Sequence, residues 1–151
     1  MKKSSLKQIE EFIATEPLAL VGVSRNKRKF GYTAFKELKE KGMKLIPVNP
    51  FASEINGSKV YNKINSLPDE IKGIIIMTKK EETAQLVREA KQKGLRQVWI
   101  QQMADSKEAI EELEGSGINY ITKECIFMHY KPNGIHKFHR AVWKFFGIFP
   151  K

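Results

Sequence analysis

The sequence predicts an α/β fold: a doubly wound, mainly parallel five-stranded sheet with helices on both faces. Three observations predict it. Five short apolar runs rich in Val and Ile recur at residues 18–23, 45–48, 74–77, 98–100 and 118–121. They are mostly unbroken by polar residues, as strands covered on both faces are. Segments with apolar residues at helical spacing separate them, and glycines close three of those segments. Strand and helix therefore alternate, which is the pattern of a parallel sheet with helical crossovers.

In chain order, a first helix is expected over about 5–14, where Leu6, Ile9, Phe12 and Ile13 share a face. The first strand leads through a polar loop into a helix over 31–41, with Ala34, Phe35 and Leu38 inside and Gly42 as terminator. Residues 49–72 carry Pro, Asn and Gly punctuation around a short Lys59-Val60-Tyr61 run. This second crossover is expected to be a turn or short helix plus an extended piece. Helices over 81–93 and 106–114 follow, the first burying Thr83, Leu86, Val87 and Ala90, the second Ala109, Ile110 and Leu113 behind a Ser106 cap. They end at Gly94 and Gly115. A basic, aromatic helix over about 135–146 is expected to close the chain, its stripe of Ile135, Phe138, Val142 and Phe145 suiting docking on the domain and, equally, nucleic-acid or membrane-surface contact. No repeat or low-complexity linker interrupts this order, so 1–151 reads as a single domain.

Charge narrows the function classes. The chain has 27 Lys and Arg against 17 Asp and Glu, a formal net charge of +10. That surplus suits polyanionic partners: nucleic acid, an anionic membrane surface or a phosphorylated small molecule. It is focused on Arg25, Lys27, Arg28 and Lys29, and on a tail with no acidic residue after Glu124. A 41% hydrophobic content excludes a disordered chain, and one cysteine, Cys125, excludes a disulfide framework. No apolar run reaches the ~18 residues of a transmembrane helix. Lys7, Glu10 and Glu11 break the basic start before any export signal forms, so a cytoplasmic location is expected.

In an open α/β sheet, ligands bind at the carboxyl ends of the strands, beside the first one. There the chain reads Gly22, Val23, Ser24, Arg25, Asn26, Lys27, Arg28, Lys29, Phe30, Gly31. Gly22 permits a tight turn, Ser24 offers a hydroxyl, and the helix start after Gly31 presents unpaired N–H groups and positive dipole to an anion. The pattern is not the G-x-G-x-x-G dinucleotide fingerprint. Nor does strand two end in the acid that holds a ribose diol; it ends in Asn49 and Pro50. Spacing alone leaves two readings open: an anion-binding loop, or a tight turn followed by a solvated basic loop.

These residues resemble a known family. Val21-Gly22-Val23-Ser24 with Gly31, then Ile46-Pro47-Val48-Asn49-Pro50, Gly57-Ser58-Lys59-Val60-Tyr61, Ser66-Leu67-Pro68, Val98-Trp99-Ile100-Gln101 and Cys125 are similar to the small bacterial coenzyme A-binding domains. Those are stand-alone relatives of the amino-terminal domain of the succinyl-CoA synthetase α subunit. The resemblance covers about residues 12–130. It implies a Rossmann-like fold and coenzyme A or an acyl-CoA as ligand. Gly22, Val23 and Ser24 would lie against the pyrophosphate, Asn49 and Pro50 would border the adenosine, and Gln101 would face the ligand from strand four. The cluster of Arg25, Lys27, Arg28 and Lys29 would meet phosphate. Two departures stand out. Strand three ends Met77-Thr78-Lys79 without the Arg- or Pro-bearing turn of many relatives, leaving Thr78 and Lys79 to supply a hydroxyl and a charge. The loop after strand four reads Gln101-Gln102-Met103, without its usual glycine.

The expected function is a non-catalytic binding or regulatory module. No paired carboxylates or nucleophile–base arrangement is visible, and the synthetase chemistry resides on other domains. The alternatives are a basic nucleic-acid-binding protein and an enzyme acting on a CoA thioester through Cys125 or a histidine. Cys125 reads as a buried small residue, and His129, His136 and His139 as surface histidines rather than metal ligands. Acyl group and oligomeric state are not legible.

Overall fold

The computed structural model describes residues 3–132 and the isolated positions 140, 141, 144, 147 and 150. The helix expected over 135–146 therefore lies largely outside the described residues, as do His136 and His139. Helix α1, Leu6–Ile13, starts at a capping box in which Ser5 Oγ accepts from Gln8 N at 3.3 Å and Ser5 N donates to Gln8 Oε1 at 3.0 Å. Strand β1 (Leu18–Val21), helix α2 (Phe30–Glu40) and strand β2 (Leu45–Val48) follow. The irregular crossover is a small antiparallel hairpin, β3 (Glu54–Ile55) and β4 (Ser58–Lys59), and a 3-10 turn at Ile64–Ser66. The chain continues through β5 (Gly73–Ile76), α3 (Lys80–Lys93), β6 (Gln97–Gln101), α4 (Lys107–Leu113) and β7 (Asn119–Glu124), then a 3-10 turn at Ile126–Met128.

Five strands form one sheet in the order β2-β1-β5-β6-β7, and every neighbouring pair is parallel. Side chains alternate across it. Leu18, Leu20, Ile75, Trp99 and Ile121 pack with Ile9 and Phe12 of α1 and Phe35 and Leu38 of α2. Ala19, Val21, Ile74, Ile76, Val98 and Ile100 pack with Val87 and Ala90 of α3 and Ala109 and Leu113 of α4. Both faces are covered, which is why these strands read as continuous apolar runs. The chain winds outward from β1 to β2, returns past β1 to β5, and winds outward again. A topological switch point therefore lies between β1 and β5, with a crevice at their carboxyl ends.

The position of α3 is fixed at both ends. Thr83 Oγ1 donates to Ala104 O at 2.7 Å, in the loop after β6. Arg88 reaches Glu108 and Glu112 of α4 at 3.0 and 3.2 Å, and Lys91 reaches Glu112 at 3.1 Å. Hydrogen bonds from Lys91 and then Arg88 hold the Glu112 carboxyl below its ordinary range. Among the described residues, no helix is long and apolar enough to cross a membrane.

The loop after β6 keeps a glycine-like conformation without a glycine. Met103 has φ +74° and is 86% exposed. A non-glycine residue in the left-handed region costs about 1–2 kcal/mol, and glycine's extra unfolded-state entropy returns about 0.5–1 kcal/mol of that. Met103→Gly is therefore expected to stabilise the protein by roughly 0.5–1 kcal/mol, seen as a raised urea midpoint. A lowered midpoint would show that the methionine side chain makes contacts outweighing the strain.

Candidate functional site

Two glycines set the floor of the crevice. Gly22, just after β1, has φ +100°, and a Cβ built there would collide with the Met77 carbonyl and lie 3.1 Å from Thr78 Cγ2. Gly31, in the first turn of α2, is buried, and its Cβ would collide with the carbonyl of Gly22. Together they let the start of α2 come down onto the ends of β1 and β5, as only residues without a side chain can. The cap of α2 is Lys29, in extended conformation, and no side chain caps the helix there. Tyr32 N and Thr33 N donate to Lys29 O at 3.2 and 3.3 Å, which leaves the Phe30 and Gly31 N–H groups at the positive dipole end for another acceptor. Over this floor runs a groove of about 390 Å³, bordered by Gly22, Ser24, Lys29, Gly31, Thr78 and Lys79.

The loop from β1 to α2 is wound by its own polar side chains. Ser24 Oγ accepts from Asn26 N at 3.0 Å, Asn26 Oδ1 accepts from Arg28 N at 3.0 Å, and Asn26 O accepts from Lys29 N at 3.0 Å. Such short side-chain-to-backbone bonds hold a turn without regular structure. They use an acceptor site of Ser24 and leave its O–H to donate.

A deeper cavity of about 800 Å³ joins the groove at Gly22, Ser24, Thr78 and Glu82. It lies between the end of β2 (Asn49, Pro50, Phe51), residues 62–64 and the first turns of α3 (Glu81, Glu82, Gln85, Leu86, Glu89). Thr78 borders both spaces, and its Oγ1 is buried with no hydrogen-bond partner. Leaving a buried hydroxyl unsatisfied costs about 1–3 kcal/mol. Groove, glycine floor and a helix without a side-chain cap together fit a ligand with a phosphate centre and a bulky, partly apolar end.

The structure assigns the sequence-predicted residues to different parts. Gly22, Ser24, Lys29, Gly31, Thr78 and Lys79 border the groove, and Asn49 and Pro50 the cavity. Val23 is 1% exposed and packs in the core, and it borders the cavity from there. Asn49 is a clip: its Nδ2 donates to Val23 O at 2.8 Å while its Oδ1 accepts from Phe51 N at 2.8 Å and Ala52 N at 3.0 Å. It locks the β1 loop to the β2 loop. Arg25, Lys27 and Arg28 are exposed and border neither space.

Gln101 requires a correction. It is buried, with Nε2 donating to Cys125 Sγ at 3.2 Å and Oε1 accepting from Ile126 N at 3.1 Å, and it lines neither space. A register shift between Trp99 and Gln101 against β7 accompanies this placement, which ties β6 to the segment after β7. Cys125 is buried, as expected. His129 is not a surface histidine: its side chain is 3% exposed, with Nε2 3.0 Å from Glu124 Oε2 and its ring beside Trp99 at 5.8 Å.

Sequence reasoning missed the far wall of the cavity. Glu81, Gln85 and Glu89 recur every four residues, so the stripe was legible. A polar stripe on a helix usually means solvent, however, and nothing local says that the 62–64 segment stands across from it.

Known proteins place this geometry in context. Residues 17–131 match the profile of the family described as CoA binding domain. The α subunit of an ADP-forming acetate–CoA ligase II from Pyrococcus furiosus is 30% identical over 129 residues, covering 78% of this chain. The chain spans only 28% of that subunit's length. An uncharacterized protein of Bacillus subtilis, YneT, is 24% identical over 83% of this chain and 94% of its own length. Among solved structures, a conserved hypothetical protein from Pyrococcus furiosus has a TM-score of 0.71 at 35% identity, covering 74% of this chain and 97% of its own. The profile match spans the glycine floor, both spaces and all five sheet strands, and the chain belongs to the CoA binding domain family.

Proposed function

We propose that the chain binds coenzyme A or an acyl-CoA as a non-catalytic binding or regulatory module. The pyrophosphate lies over residues 22–24 at the start of α2, and the adenosine end enters the deeper cavity. The observation that carries this reading is the Gly22 and Gly31 floor, which brings the start of α2 down onto the ends of β1 and β5 with no side-chain cap over it. The main-chain N–H groups that begin α2 and the Ser24 O–H donate to phosphate oxygens, and Lys29 and Lys79 supply charge. Asn49 keeps the two loops in register. Bound coenzyme A would supply a thiol for acyl carriage.

Calorimetric titration with coenzyme A, acetyl-CoA, NAD and ATP tests the reading. Sub-millimolar binding of coenzyme A is expected, with NAD weaker because β2 ends at Asn49 rather than at a carboxylate. No binding of coenzyme A or its thioester would overturn it. One observation favours a nucleic-acid surface instead, the exposure of Arg25, Lys27 and Arg28 outside both spaces. That reading needs DNA or RNA affinity with a steep salt dependence, and loss of all such binding at physiological salt would remove it.

A further inference from the structure

The deeper cavity is polarised. Glu81, Glu82 and Glu89 of α3 line it, and among its described lining residues the single cation is Lys63, the residue that starts the Ile64–Ser66 turn. The groove cations Lys29 and Lys79 border the other space, which Glu82 also reaches, and Arg25, Lys27 and Arg28 border neither. A phosphate entering this cavity meets three carboxylates that repel it and one ammonium that attracts it. Coenzyme A brings such a group on its adenosine end, the 3′-phosphate of the ribose. The pyrophosphate is provided for separately, by the start of α2 with Lys29 and Lys79.

We infer that Lys63 is the residue that recognises the 3′-phosphate and so distinguishes coenzyme A from dephospho-CoA. This rests on the coenzyme A reading above. The basic loop at 25–28, the obvious candidate from sequence, contributes only diffuse attraction. With Lys63 neutralised, the described cavity lining holds carboxylates and no cation, so a 3′-phosphate is repelled on entering. A ligand without that phosphate is indifferent to the change. The three carboxylates accept from the amino edge of adenine and the ribose hydroxyls but oppose a second anion, so any preference for the 3′-phosphate rests on the Lys63 ammonium.

Calorimetric titration of the full chain with coenzyme A and dephospho-CoA provides the test. The wild type should prefer coenzyme A by about tenfold, as one charge-assisted contact supplies. Lys63→Gln should erase or reverse that preference and leave dephospho-CoA within about twofold of wild type. Lys63→Arg should keep it, and Arg25→Gln/Lys27→Gln/Arg28→Gln should lower both affinities together without changing their ratio. A Lys63→Gln protein that retains the wild-type ratio, or loses both ligands equally, would overturn the assignment. So would a wild type with no preference, or a basic-loop variant that abolishes the preference. Wild-type protein that binds neither ligand would instead overturn the coenzyme A reading itself.

Discussion

Gly22→Val is expected to abolish coenzyme A binding and to destabilise the fold by about 2–4 kcal/mol. Two costs add. At φ +100° an L side chain is strained whatever the space around it, and a β-branched one most of all. The new Cβ also meets the Met77 carbonyl and Thr78 Cγ2, so either β1 and β5 part or the turn lifts. In both cases the floor of the groove rises into the space assigned to the pyrophosphate. Gly57→Ala separates the two costs, since Gly57 has φ +73° with nothing within 4 Å of its added Cβ. It should cost about 1 kcal/mol and leave binding unchanged. Gly22→Ala is the milder companion, folded enough to titrate. Urea denaturation and calorimetry read both properties. Undiminished coenzyme A affinity in folded Gly22→Ala and Gly22→Val proteins would mean that no ligand approaches the end of β1.

The glycine floor and the sheet were legible in the sequence for the same reason. Both depend on residues whose side chains, or lack of them, leave a local mark. Strands buried on two faces must be continuous apolar runs, and Leu45–Val48 emerges at the residues expected. The second crossover was legible only as irregular. Its hairpin turns at Asn56 and Gly57, φ +49° and +73°, a two-residue signal flanked by strands too short to show alternation. Charge misled where position was needed. Residues 25–29 look like one basic cluster, but the Ser24 and Asn26 turns bring Lys29 to the groove while Arg25, Lys27 and Arg28 remain outside both spaces. Lys63 carries no local mark at all, because its significance comes from carboxylates 18 to 26 residues further on.

His129→Ala is the second change expected to have a large effect, a loss of about 2–3 kcal/mol from a buried acid left without its hydrogen bond. Glu124 and His129 each have side chains only 3% exposed, and their pairing at 3.0 Å closes the turn that follows β7. The main-chain carbonyl of Glu124 is committed as well, accepting from Trp99 Nε1 at 3.2 Å and from Gln102 N at 3.1 Å. Glu124 therefore cannot easily swing its carboxylate out to water when the imidazole is removed. A buried carboxylate that loses its partner is costly chiefly because it stays desolvated, not because the pair itself was strongly favourable. The double variant separates these terms. Against a Glu124→Gln background, His129→Ala should cost less than half as much, since a neutral amide tolerates the loss of its neighbour far better than a charge does. The segment also reaches the proposed site, for Phe127 packs edge-on against Phe30 at the start of α2, with ring centroids 6.3 Å apart. Loosening it should weaken coenzyme A binding as well as stability. A His129→Ala protein within about 1 kcal/mol of wild type in urea would show that the carboxylate is solvated in solution and that the turn is held by its apolar residues alone.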